Sequence, residues 1–180
     1  MKFVALCIFV LSSACAFART GDDASFERVL SDRYNDMLRD GGRAYDRKDF
    51  AKAFELTRRT ACAGDKTSQA MVGRMYLLGQ GTPKDEMTGF GWIKLAAEFG
   101  YADYTSLARK LESALAPEQR AAANDRAEAL RRNHSLAATG MSCHGESRRG
   151  AIIIDSVICT PESDGGGMVR LRRCTEDAAN

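Results

Sequence analysis

The chain has 180 residues, and its 26 Lys and Arg against 24 Asp and Glu leave a formal charge of +2. That length sets a prior of one domain, or one domain with a small appendage. The near balance of charge argues against a dedicated nucleic-acid binder, which concentrates positive charge. With 44% hydrophobic and 28% charged residues, the composition is that of a folded soluble protein and not of a disordered tail.

The chain opens on MKFVALCIFVLSSACAFA, with one charge at Lys2, an apolar run over 3–11 and small residues before the polar RTGDD. This is the three-part pattern of a secretory signal peptide over residues 1–18. The run is short of the roughly 20 residues that a bilayer span needs, so no stable membrane span is expected. Cleavage is expected after Ala18, giving a periplasmic or secreted protein. The alternative is a lipid anchor through Cys15, although Ser12 stands where a lipid-attachment box carries a large aliphatic residue. Cleavage removes Cys7 and Cys15 and leaves Cys62, Cys143, Cys159 and Cys174. Four cysteines in an exported chain permit two disulfides in three connectivities.

Residues 25–132 read as a succession of helices, over 25–45, 49–62, 67–78, 86–98, 102–115 and 117–131, with short separations that make neighbours antiparallel. Pro117 suits the first turn of the last one. A fixed offset of 36 residues relates Asp49, Leu56, Thr60-Ala61 and Gly64 to Asp85, Trp92, Ala96-Ala97 and Gly100. An offset of 31 relates Gly42-x-x-Tyr45 to Gly73-x-x-Tyr76. Periods of this size predict an all-α solenoid of helix pairs. Small residues at Gly73, Ala96 and Ala97 allow close helix approach, Tyr76 and Trp92 fill the space between helices, and Gly64 and Gly100 suit left-handed caps.

The stretch QAMVGRMYLLGQGTPKDEMTGFGWIKLAAEFGYAD resembles a nearly complete Sel1-like repeat, a family related to tetratricopeptide repeats. The residues that carry the resemblance are Gly73, Tyr76, Gly79, Gly81, Asp85, Trp92, Ala96, Ala97 and Gly100. Val72, Thr82 and Gly89 depart from the family's Leu, Val and Ala. The preceding unit, with Tyr45 and Gly64, lacks the glycine loop, has Leu56 for Trp, and is equally readable as a tetratricopeptide pair. The resemblance extends over about 38–131 and implies a protein-interaction scaffold with no family-wide catalytic residues and no cofactor. Exported bacterial members resemble adaptors of envelope assembly, regulatory partners, or immunity proteins that block a toxic effector. One exported branch stitches each helix pair with a disulfide; only Cys62 lies inside the array here, which leaves it free or paired with the tail.

After Arg132 the composition changes to a cysteine-containing tail over 133–180. AIIIDSVICT and MVRLRRC are β-branched or alternating runs on either side of the turn-rich PESDGGG, and they predict a C-terminal β-hairpin. Val169 and Leu171 fall on one face, Arg170 and Arg172 on the other. A lone hairpin is marginal in water, so it should dock on the solenoid, be pinned by Cys159 or Cys174, or both. Self-association through its edge is the alternative.

Catalytic and metal signals are weak. Cys143-His144 lacks the C-x-x-C-H of a haem site. Cys143, His144, Cys159 and Cys174 lack the close pairs of a zinc site. Cys143 as a nucleophile with His134 or His144 as base rests on composition alone, and no hydrolase elbow, zincin motif or phosphate loop is present. A small envelope hydrolase is therefore the lesser alternative. Trp92, Tyr76 and Phe90 read as core. The partner-binding candidates are Arg58 and Arg59, Arg74, and Tyr101 and Tyr104 at the edge of the array, since tyrosine joins large contact area to a polar end; the two tyrosines are equally readable as the surface on which the tail hairpin packs. The expected partner is another envelope or exported protein, met on the face made by the first helices of successive units. The arginines at 148–149, 170, 172 and 173 stand among acidic residues and read as a solvated face of mixed charge.

Overall fold

The computed structural model describes residues 23–146 and 156–174. The signal-peptide segment, Cys15 and the 151–155 part of the expected strand fall outside the described residues. Among the described residues, seven α-helices and five strands follow in the order β1 (Phe26–Leu30), α1 (Ser31–Asp46), α2 (Phe50–Cys62), α3 (Lys66–Leu78), α4 (Glu86–Ala96), α5 (Ala102–Ala114), α6 (Pro117–His134), α7 (Leu136–Thr139), β2 (Ser142–Glu146), β3 (Ser156–Thr160), β4 (Ser163–Gly165) and β5 (Met168–Arg172). Helix pairs build the body and a small, unclosed set of strands packs on one side of it.

Local signals start the helices of the body. Asp49, Asp65 and Asp85 each accept a hydrogen bond from the backbone N–H three residues on, at 3.4, 2.7 and 3.0 Å, so α2, α3 and α4 carry the same side-chain cap. Asp85 also accepts from the Thr88 hydroxyl at 2.7 Å. Gly79 ends α3 in the left-handed conformation at φ 66°, and a Cβ on Gly81 would lie 2.1 Å from the Phe50 carbonyl oxygen.

The tightest packing joins α3 to α4. A Cβ on Gly73 would approach the Gly89 carbonyl to 2.8 Å, and a Cβ on Gly89 would approach the Gly73 carbonyl to 2.8 Å. Gly89, which departs from the resembled family's alanine, is thus required by a crossing in which the two backbones nearly touch. That approach closes the core around Val72, Tyr76, Trp92, Leu95 and Leu130, all buried, with Cys62 and Ala61 of α2. Gly64 and Gly100 both have positive φ, as their cap positions predict. Ala96 is fully buried, whereas Ala97 begins a half-exposed 3-10 turn. Tyr45 donates a hydrogen bond to the Gln80 side chain at 3.0 Å, tying α1 to the loop after α3.

The strands differ from expectation in two ways. Residues 26–30, expected at the head of the first helix, form β1. The run containing Met168–Arg172 does not pair with Ser156–Thr160: β5 lies between β1 and β4, while β3 pairs with β2. In the first sheet Val29 faces Val169 and Glu27 faces Leu171 across an antiparallel ladder. In the second Cys143 faces Cys159. The physical reason is that both edges of β5 find nearer partners. Its N-terminal end turns back on Ser163–Gly165 through Gly166-Gly167, which have positive φ, and β1 covers its other edge. The strand region is therefore built from distant parts of the chain, and among the described residues β5 lies inside its sheet, between β1 and β4.

Val157, Cys159, Val169 and Leu171 bury their side chains with Tyr34 and Met37 of α1, Ala63 and Met141, so the strands dock on the solenoid. Two disulfides add covalent ties. Cys62–Cys174 joins the end of α2 to the residues after β5, and Cys143–Cys159 links β2 to β3.

Candidate binding groove

The first helices of successive pairs, α1, α3 and α5, line a groove. Its larger hollow, about 380 Å³, has Asn35, Leu38 and Gly42 of α1 on one wall and Thr67, Ser68 and Met71 of α3 on the other. Thr57 and Thr60 of α2 form the floor, and Val157–Thr160 of β3 closes one end. A second hollow, about 280 Å³, lies between α3 and α5 and is lined by Tyr45, Ala70, Arg74, Asp103, Tyr104 and Leu107. Thr67 and Met71 line both, so the hollows adjoin along α3.

Helical period explains why these side chains share a face: positions 67, 70, 71 and 74 are neighbours on one stripe of α3. Thr67 forms the saddle between the hollows. Its hydroxyl accepts from the Tyr104 phenol at 3.2 Å and donates to the Val157 carbonyl at 3.5 Å. Burial pushes the Tyr104 phenol above its ordinary range, with the Thr67 hydrogen bond opposing. At the floor, the Thr60 hydroxyl donates to that of Ser68 at 2.8 Å.

Asp65 lines the larger hollow and is 4% exposed. Burial raises its pKa, while the hydrogen bonds from Ser68 oppose the rise. Tyr34 is buried beside it, and its pKa is raised by burial first and by the Asp65 charge second. The next residue, Lys66, is fully buried. It donates to Gln69 at 2.9 Å and pairs with Glu98 at 3.5 Å. Burial lowers its pKa to about 8, with the Glu98 carboxylate opposing. Glu98 in turn accepts from the Leu136 backbone N–H at 2.8 Å. This buried network fixes the start of α3, and with it the groove wall.

The anticipated partner-binding residues divide between two places. Arg74 and Tyr104 line the second hollow, and Tyr101 packs edge-on against Tyr104 with ring centroids 4.9 Å apart. Arg59 lies elsewhere: it pairs with Glu27 of β1 at 2.9 Å and borders a separate hollow with Arg33 and Asp36. Arg58, its neighbour on α2, is half-buried and lines neither hollow of the groove. These two arginines hold or flank the strand region and do not extend the groove. Met71, Thr67 and the β3 segment were not foreseen, since a groove-lining methionine at helical spacing reads the same as a core methionine.

Of the residues considered for catalysis, His134 and Cys143 are in structural use. His134 is fully buried, with Nδ1 2.9 Å from the Cys62 carbonyl oxygen and its ring stacked on Trp92 at 5.6 Å. Cys143 is in a disulfide, and His144 is exposed on β2. Trp92, Phe90 and Tyr76 are buried. Among the described residues no three His, Cys, Asp or Glu are grouped as a metal ion needs. Arg170 pairs with Glu162 at 3.4 Å and Arg28 pairs with Asp164, so the outer face of the first sheet carries both signs.

The fold is a helix-pair solenoid of the Sel1/tetratricopeptide-like kind, a fold known as a non-catalytic interaction scaffold. More particularly, residues 37–65 and 67–101 match the family model described as Sel1 repeat. The region 37–101 is thus a Sel1-repeat region, and it includes the first unit, whose missing glycine loop and Leu56 had left it open to a tetratricopeptide reading. No curated protein and no solved structure matches the chain.

Proposed function

We propose that this protein is a non-catalytic interaction module that binds another polypeptide in the groove between α1, α3 and α5, and that it does so after export, in the bacterial envelope or outside the cell. The observation that supports the reading is that two hollows adjoin along the first helices, with Arg74 exposed on the lining of the second. Export is supported by the signal-like opening and by two disulfides, which persist in oxidising compartments.

Met71→Glu tests the surface, because it places a charge where both hollows meet. Cross-linking in envelope extract should yield a discrete partner with the wild type and lose it with the variant, while thermal unfolding of the two stays comparable. A partner retained equally by both contradicts the groove as the binding surface. The intact mass of the purified protein tests export: a chain beginning at Arg19 is expected, and one retaining Met1 and residues 2–18 contradicts cleavage.

A further inference from the structure

We propose that the groove takes its partner as an extended strand, added to the outer edge of β3 and carrying an acidic side chain to Arg74. This deepens the groove reading above and rests on it.

The orientation of β3 carries the first half. In an antiparallel ladder, directly opposed residues alternate between pairs that exchange hydrogen bonds and closer pairs that do not. Cys143 and Cys159 are opposed with Cα atoms 4.1 Å apart, the spacing of the closer, non-bonded kind. Gly145 and Val157, two residues along, are of the same kind. The main-chain groups of Val157 and Cys159 therefore point away from β2. The Val157 carbonyl confirms the direction, since it accepts a hydrogen bond from Thr67 of α3. Among the described residues β3 pairs only with β2, and Val157–Thr160 lines the larger hollow. A row of main-chain donors and acceptors thus borders a space shaped by α1 and α3. Such an edge is satisfied by a further strand. The Thr67 hydroxyl already occupies, at 3.5 Å, the place of one incoming N–H.

Charge carries the second half and sets which end of the occupant is acidic. At the β3 end, the ionisable side chain lining the hollow is Asp65, a buried carboxylate whose pKa burial raises; a second carboxylate is disfavoured there, and N–H or hydroxyl donors are favoured. At the other end Arg74 lines the second hollow and has no carboxylate within ion-pair distance among the described residues, although Asp103 lines the same hollow. Thr67 and Arg74 are seven residues apart on α3, about 10 Å at 1.5 Å per residue. An extended strand covers that span in about three residues. The occupant is therefore an uncharged extended segment with Asp or Glu about three residues away along it.

The test uses random eight-residue peptides displayed on phage and selected against the full-length oxidised protein. Selected peptides are then synthesised with single backbone N-methyl groups and measured against wild type, Arg74→Glu and Met71→Glu. The expected result is enrichment of Asp or Glu at one position. N-methylation should weaken binding about three- to tenfold at alternate positions and leave the intervening ones unchanged. Arg74→Glu should cost acidic peptides about tenfold or more. Peptides that bind with a flat or helical N-methylation pattern but are lost in Met71→Glu overturn strand addition and leave the groove reading standing. Peptides indifferent to Met71→Glu overturn both. No enrichment, or a protein that sediments as a dimer whose formation excludes peptide, also overturns the proposal, the latter by making a second copy the occupant.

Discussion

The helical body and the strand region are stabilised by different means. In the body, Trp92, Ile93, Leu95 and Ala96 of one helix are essentially fully buried, three successive helices share an aspartate cap, and two glycines let backbones meet. The strands are five residues or fewer, bury four side chains in one shared cluster, and are crossed by both disulfides. A repeating helix pair closes a core from its own neighbours. Short strands drawn from distant parts of a chain cannot, and here they depend on docking and covalent ties.

The sharpest way to break that contrast is to remove the tie between the two regions. Cys62→Ser with Cys174→Ser opens a loop with a sequence separation of 112, and the loss should be about 4 to 5 kcal/mol in denaturant unfolding. Amide exchange at Val29, Val169 and Leu171 should accelerate first, while α3 and α4 keep their protection. Uniform acceleration throughout would show that strands and helices unfold as one unit.

A second prediction lies inside the body. Unfolded Lys66 keeps its proton to about pH 10.5, whereas the buried side chain releases it from about pH 8. The unfolded state therefore binds more protons in that window, and stability should rise with pH across it, by up to about 3 kcal/mol. Lys66→Met should flatten the rise, read as the difference between the two melting profiles from pH 8 to 10. Above pH 10 the raised phenols of Tyr34, Tyr76 and Tyr104 act in the opposite sense in both proteins. Equal slopes in the two proteins would remove Lys66 as the source.

The smallest effect sharpens the packing side of the contrast. Gly89→Ala inserts a methyl group 2.8 Å from the Gly73 carbonyl oxygen, and overpacking of this kind costs about 1 to 3 kcal/mol. The same change at Gly42, where a Cβ meets nothing within 4 Å, should stabilise slightly through helix propensity. Thermal unfolding of the two variants checks the pair.

Much of the body was legible because its signals are local. Gly64 and Gly100 take the left-handed caps read for them and Pro117 opens α6; each acts within a few residues. The strand pairing was not legible. FERVL continues the pattern of the helix that follows it and becomes β1 only against β5, more than 130 residues later: Ser31, next to it, bonds to Gly167. SCHGE has little strand propensity, and its register with β3 is held by a disulfide whose partner the spacing left open among three connectivities. The groove was half legible. Arg74 and Tyr104 stood out as residue types, but Thr67 and the outward edge of β3 take their meaning from a tertiary contact.

Site-specific photocross-linking in the cell that makes the protein tests the central claim, that the α1–α3–α5 groove receives another polypeptide. A benzophenone amino acid replaces Asn35, exposed on the α1 wall of the groove, or Lys52, exposed on α2 away from it. A discrete cross-linked species is expected from position 35 and none from position 52. Cross-linking from position 52 alone, or equally from both, would contradict the groove as the binding surface.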